Sequence, residues 1–307
     1  MIDSADISVV MQGPMVHEGD DLFPLPKTIT AIRAIRALLP ASQIILSTWE
    51  GENTRFVDGV NELLLSPDPG AQGVKDGFIP NNLNRQIVST RAGLMKATRK
   101  YALKLRSDIV LTSLDFIRHF ERGANRPQTE YCVFESRIAC NNFSSRYPLS
   151  GSSAAYAYHP SDHVHFGLAG DVARLWSIPL QSIEEATWFD SHPRPANLRL
   201  HETSRLAPEQ YLWATCLELT GRPIDLVDFS DRRPEVVIQS EGYLDANFIF
   251  IPDSQYAFSF RKYQTYHHDC FEYIRRNSIR PRSRYRRVEI ARSYLVALAR
   301  LVRHSLR

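Results

Sequence analysis

The segment Asn84-Arg-Gln-Ile-Val-Ser-Thr-Arg-Ala-Gly-Leu-Met-Lys-Ala-Thr-Arg-Lys-Tyr-Ala-Leu-Lys-Leu-Arg-Ser-Asp-Ile-Val-Leu111 changes its hydrophobic period partway along. From Asn84 to Lys100, Ile87, Leu94 and Ala97 fall on one side of an amphipathic helix. From Ala102 to Leu111, Leu103, Leu105, Ile109, Val110 and Leu111 make an apolar strand. Working outward, Ile7 to Met11 reads as a buried strand ended by the turn Gln12-Gly13-Pro14. Thr28 to Leu39 has helical spacing at Ile29, Ile32, Ile35 and Leu39, and Pro40 stops it. Gln43 to Thr48 is a second strand, and Asn61 to Leu65 a third, closed by Ser66-Pro67-Asp68-Pro69-Gly70. Apolar strands alternating with helices predict an α/β fold, a Rossmann-type mostly parallel sheet flanked by helices. Such sheets bind ligands beyond the carboxyl ends of their strands. That singles out Gln12-Gly13-Pro14, Ser47-Thr48-Trp49-Glu50 and Arg106-Ser107-Asp108.

The second half is less regular. Ser144 to Pro160 is rich in Ser, Tyr and Pro and reads as a loop. Gly167 to Trp176 predicts a short helix, Pro208 to Leu219 a longer one, and Asn247 to Ile251 a strand. No internal repeat or low-complexity segment occurs.

The 307 residues are 43% hydrophobic, enough for one sizeable core. Four scattered cysteines, with no CxxC, argue against a disulfide framework or a structural zinc site and suit a reducing cytoplasm. No run of eighteen apolar residues predicts a membrane span, and the acidic N-terminus lacks a signal-peptide pattern. The net charge of +3 conceals a division at Arg275. Residues 275–307 carry eleven arginines against Glu289 alone, about +10, which leaves 1–274 at about −7. The expected organisation is a catalytic domain over 1–274 and an arginine-rich amphipathic helical tail over 275–307. A basic tail on an acidic body fits an anionic partner surface.

Several clusters carry chemistry. Arg106 and Asp108 sit at the end of a buried strand, where charge must be used or paired. The acid suits Mg²⁺ or Mn²⁺ bridging phosphates; the competing reading is a structural ion pair. Asn84, Arg85 and Gln86 open a helix, whose N-terminus favours phosphate, although most such triplets are solvated helix starts. Glu209 follows Pro208 in a first turn, where capping and dipole effects have the stronger local claim. The functional reading makes Glu209 a general base for an acceptor hydroxyl. Ser161-Asp162-His163-Val164-His165 could present a histidine pair to a metal, although ordinary polar packing explains it better. His267 and His268 stand in a tyrosine-rich stretch and could line a nucleotide site. Walker, GxSxG, HExxH and dinucleotide motifs are lacking.

Gln12-Gly13-Pro14, Leu46-Ser47-Thr48-Trp49, Asp68-Pro69-Gly70, Asn84 to Thr90 and Leu103 to Asp108 together resemble the WavE family of lipopolysaccharide-synthesis proteins. Ser161-Asp162, His165 to Leu168 and Pro208 to Tyr211 continue the likeness, which covers roughly residues 6 to 215. The resemblance implies a GT-A-like glycosyltransferase binding a nucleotide sugar beside an acceptor. In that class an Asp-x-Asp after a strand holds a metal and the diphosphate. The matching Arg106-Ser107-Asp108 keeps only the second acid, so Arg106 is expected to put its charge on the diphosphate and Asp108 is the one candidate metal ligand. Gln12, Gly13 and Pro14 would contact the nucleotide, with Asn84 and Arg85 beside the phosphates. Asp162 would touch sugar, and Glu209, at the start of a later helix, would be the base.

The tail completes the picture. Ala291, Tyr294, Leu295, Leu298, Leu301 and Val302 share one helical face, and Arg292, Arg300, Arg303 and Arg307 the opposite one. That pattern predicts peripheral attachment of residues 280–307 to the anionic inner-membrane surface, from the cytoplasm. Two rivals remain: a nucleic-acid-binding protein, disfavoured for want of any known motif, and a non-catalytic scaffold of a polysaccharide assembly complex.

Overall fold

Every residue of the strand Ile7–Gln12 is buried, so it must be covered on both faces, and it lies inside a seven-stranded sheet, third from one edge. The computed structural model describes residues 2–16, 28–73, 80–142, 144–146, 156–195, 203–251 and 258–259. In chain order its elements are β1 (Ile7–Gln12), α1 (Thr28–Leu38), β2 (Gln43–Trp49), β3 (Glu62–Ser66), α2 (Leu83–Met95) and β4 (Tyr101–Arg106). There follow β5 (Val110–Leu111), α3 (Asp115–Gly123), β6 (Ile138–Asn141), β7 (Val164–Leu168), α4 (Ala169–Trp176) and α5 (Ile183–Ala186). The described chain ends with α6 (Pro208–Leu219), α7 (Pro234–Asn247), β8 (Phe248–Ile251) and β9 (Phe258–Ser259).

The sheet order is β3-β2-β1-β4-β7-β6-β8. β1 pairs in parallel with β2 and β4, β2 with β3, and β6 with β8; β7 alone runs against both its neighbours. The predicted mostly parallel α/β sheet is therefore present. Strand order proceeds outward from β1 through β2 to β3, then reverses to β4 on the other side. That reversal opens a crevice at the carboxyl ends of β1 and β4, the place where such sheets bind ligands.

Side chains alternate across the strands and divide the core in two. Val10, Ile45 and Ala102 face the layer that holds Leu83 and Ile87 of α2, Val172 and Trp176 of α4, and Leu212 and Trp213 of α6. Val9, Met11, Ile44, Leu103 and Leu105 face the layer of Ile32 and Ile35 of α1 and Phe116 and Phe120 of α3. Gly93 lets α2 approach the sheet: a Cβ there would lie 2.4 Å from Cγ1 of Val10.

Three predicted boundaries change. The helix expected to Lys100 ends at Met95, because Gln43 captures the chain beyond it: its amide donates to the Lys96 carbonyl and its oxygen accepts from the Thr98 N–H. The strand expected from Ala102 to Leu111 breaks after Arg106. There the Ser107 N–H turns to the Gln12 carbonyl at 2.8 Å, and the Ile109 N–H reaches back to the Arg106 carbonyl. Gly167 and Leu168, expected to open a helix, instead finish β7, with Gly167 opposite Ala102. Described parts of the 144–160 loop carry no helix or strand. His267, His268 and the 275–307 tail lie outside the described residues. Among the described residues, no helix is long and apolar enough to cross a membrane.

Candidate active site

A cleft of about 710 Å³ opens at the carboxyl ends of β1, β2 and β4, within the range of small-molecule sites. Its lining includes Gln12, Gly13 and Pro14 after β1, Trp49 and Glu52 at the end of β2, and Arg106, Ser107 and Asp108 after β4. Asp68, Arg85 and Gln86 also line it, as do Asp162, His163 and Glu209. Residues nearly 200 positions apart in sequence thus meet in one cavity.

The floor is built by backbone geometry. Gly13 has φ +119°, a conformation side chains disfavour, and a Cβ on it would lie 3.1 Å from Ser107 Oγ. Ser107 Oγ instead donates to the Pro14 carbonyl at 2.7 Å, tying the loop after β1 to the loop after β4. Gln12 is buried and accepts from Ser89 Oγ of α2 at 2.9 Å. Beside them Arg106 grips Asp108 in a two-pronged pair, Nε to Oδ1 at 2.9 Å and Nη2 to Oδ2 at 2.5 Å. The structural ion pair is therefore present, and it fixes the guanidinium plane within the cleft lining.

Arg85 projects from the first turn of α2 into a fork with Asp68, Nε to Oδ1 at 2.8 Å and Nη2 to Oδ2 at 2.5 Å. The Arg85 hydrogen bond holds the Asp68 carboxyl below its ordinary value. Asn84, one residue earlier, does not line the cleft. It is buried, donating to the Gln181 carbonyl at 3.0 Å and accepting from the Gln181 N–H at 2.8 Å. Those two bonds turn Asn84 toward Gln181 and away from the cavity.

Within the same lining, Asp162 and Glu209 titrate in different directions. Burial pushes Glu209 up to about 8, reinforced by the negative charge of Asp162. Burial would raise Asp162 as well, but His163, Lys104, Arg106 and a hydrogen bond from Gln86 outweigh it and hold Asp162 below its ordinary value. Lys104, on β4, is completely buried. Its ammonium donates to the Asp162 carbonyl and lies 4.3 Å from the centroid of the Trp176 ring. Burial lowers Lys104 to about 7.

The His163–His165 pair does not act as a unit. His163 Nε2 lies 3.6 Å from Asp162 Oδ1 at the cleft. His165 instead belongs to the core: one ring nitrogen meets the Ser161 carbonyl at 2.9 Å and Nδ1 accepts from Trp176 Nε1 at 3.0 Å. Nor does the donor set suit a resident divalent cation. Both Asp108 oxygens are engaged by Arg106, and no group of three His, Cys, Asp or Glu side chains converges among the described residues.

Sequence reasoning missed Glu52, and gave Asp68 no site role beyond the turn and the family likeness. It missed His159 entirely, whose Nε2 lies 3.4 Å from Glu209 Oε2. No local signal marks His159, since it sits in an irregular stretch and reaches the site only through the fold.

Residues 7–269 match the model of the WavE lipopolysaccharide synthesis family, and the chain belongs to that family. No curated protein sequence matches it. Among solved structures, it is similar to a cytidylyltransferase from Leptospira borgpetersenii serovar Hardjo-bovis at 10% identity, TM-score 0.32, over 58% of this chain and 67% of that one. It is also similar to 4-diphosphocytidyl-2C-methyl-D-erythritol synthase from Anaerococcus prevotii at 10% identity, TM-score 0.34, over 79% of this chain and 99% of that one.

Proposed function

We propose that the protein is a glycosyltransferase that moves a sugar from a nucleotide-sugar donor to a saccharide or lipid-linked acceptor in lipopolysaccharide or other surface-polysaccharide synthesis. The observation that carries this reading is one cleft that holds both a fixed arginine at the carboxyl end of the middle strand and two carboxyls of opposed ionisation. Gln12, Gly13 and Pro14 line the part where the nucleotide would lie, with Trp49 beside them. Arg106, held planar by Asp108, is placed to take the diphosphate charge that grows as the sugar leaves. Arg85 lies at the phosphate-facing rim.

The two carboxyls divide the remaining work. Asp162 stays ionised and can accept hydrogen bonds from sugar hydroxyls. Glu209 ionises near working pH and is then a stronger base than an ordinary glutamate, as deprotonating a hydroxyl requires. In direct displacement the acceptor oxygen bonds to the anomeric carbon, its proton passes to Glu209, and the nucleoside diphosphate leaves with the bonding pair. Attachment to an anionic inner-membrane surface through residues 280–307 belongs to the same proposal and rests on the sequence. Glu209→Gln tests the chemistry: turnover should fall at least about a hundredfold with donor affinity little changed. A Glu209→Gln protein with full turnover would leave the cleft without its base.

A further inference from the structure

Two non-glycine residues have positive φ among the described residues, Ser144 at 66° and Tyr158 at 52°. Such backbone is strained for side-chain-bearing residues, and it persists only where surrounding structure enforces it. Both residues flank one side chain, His159. Tyr158 immediately precedes it, and the Ser144 backbone lies close enough to its ring to favour the protonated form.

The enforcement is explicit. The Tyr158 N–H donates to Ser240 Oγ at 2.7 Å, and its hydroxyl to Gln239 Oε1 at 2.6 Å, both on α7. The carbonyl before it, on Ala157, accepts from Gln210 Nε2 at 2.8 Å, and Gln210 is the neighbour of Glu209 on α6. The His159 carbonyl accepts from the Arg146 N–H at 2.9 Å. Three separate parts of the fold therefore pin residues 157–159. The product is a 4% exposed imidazole whose Nε2 lies 3.4 Å from Glu209 Oε2.

We propose that His159 is the positioning residue of Glu209: a neutral imidazole that holds one carboxyl oxygen so that the other meets the acceptor hydroxyl. This rests on the reading of Glu209 as the base. Burial and the nearby Arg146 charge push His159 down to about 3, although Asp162 and the backbone carbonyls pull the other way. It therefore stays neutral throughout. With its proton on Nδ1, Nε2, 3.4 Å from Oε2, is free to accept a hydrogen bond from protonated Glu209. The proton taken from the acceptor thus stays on Glu209 until water removes it, and His159 gains none.

The test is infrared difference spectroscopy of the full-length protein across pH, which needs no substrate. The carboxyl band of protonated Glu209 is assigned by its loss in Glu209→Gln. His159→Phe, which keeps bulk and removes the acceptor, should move that band to the higher frequency of a free carboxyl; His159→Gln should restore it. Thermal unfolding of each variant shows that it is folded. Where a panel of UDP-, GDP- and CMP-sugars yields nucleotide release, His159→Phe should lower kcat tenfold or more, leave the donor KM within about twofold, and be rescued by His159→Gln. An unmoved band in folded His159→Phe and His159→Gln would overturn the contact. A moved band with unchanged kcat would overturn the positioning role. Full turnover in Glu209→Gln would instead show that the base assignment has failed, whatever the band does.

Discussion

Asp68, in the turn after β3, and Arg85, in the first turn of α2, neutralise one another across the mouth of the cleft. On the proposed function, a donor phosphate arriving there would compete with the Asp68 carboxylate for the same guanidinium. Asp68→Asn should therefore lower the donor KM several-fold, and Arg85→Ala should raise it. Both side chains are about one-third exposed, so the stability change should stay under about 1 kcal/mol. Unchanged KM in both variants would place the phosphates elsewhere.

Gly13 allows the loop after β1 to pass Ser107. Gly13→Ala must adopt a φ of +119° and press a methyl against Ser107 Oγ at 3.1 Å. The expected loss is about 1–3 kcal/mol, read from urea unfolding, together with a weaker donor interaction. Wild-type stability would show that the loop relaxes freely.

Glu209 links stability and activity to pH in opposite directions. Its folded-state value, about 8, exceeds its ordinary 4.5, so between those pH values the folded protein retains a proton that the unfolded chain releases. Stability from this group is complete below pH 4.5 and is lost as pH rises through about 8. Turnover should rise over the same upper range as the base ionises. Urea midpoints measured across pH should fall less steeply in Glu209→Gln than in the wild type. Parallel slopes would contradict the buried carboxyl.

The arginine-rich tail supplies a separate expectation, on sequence grounds. Each basic residue near an anionic surface contributes about 1 kcal/mol, and salt screens it. Deleting residues 280–307 should release the protein from anionic vesicles while sparing transfer to a soluble acceptor. Vesicle binding that survives the deletion, or ignores salt, would remove the tail as anchor.

Much of this architecture was legible because the central strands are apolar on both faces, as in β1, β2 and β4. α6 runs over the expected Pro208–Leu219, since proline suits the first helical position and Glu209 follows it. α3 and α7 have no counterpart in the sequence reading, nor does β6, whose four residues are strand only through pairing with distant β7 and β8. Most of the site could be read from the rule that ligands gather after strands, which reaches Gln12 to Pro14 and Arg106 to Asp108. Asn84 failed because its amide completes a buried clamp on Gln181. His159 could not be read at all: its proximity to Glu209 is made by α7, Gln210 and Arg146, all remote from it in sequence or structure class.

The proposed function turns on Arg106, the charge that would meet the diphosphate without a resident metal. The most direct measurement is calorimetric titration of nucleotide sugars into the full-length protein, with and without EDTA, in wild type and Arg106→Ala. One nucleotide sugar should bind the wild type with an affinity EDTA changes little, and Arg106→Ala should weaken it at least tenfold. Binding that EDTA abolishes, or that Arg106→Ala leaves intact, would contradict it, as would a protein that binds no nucleotide sugar.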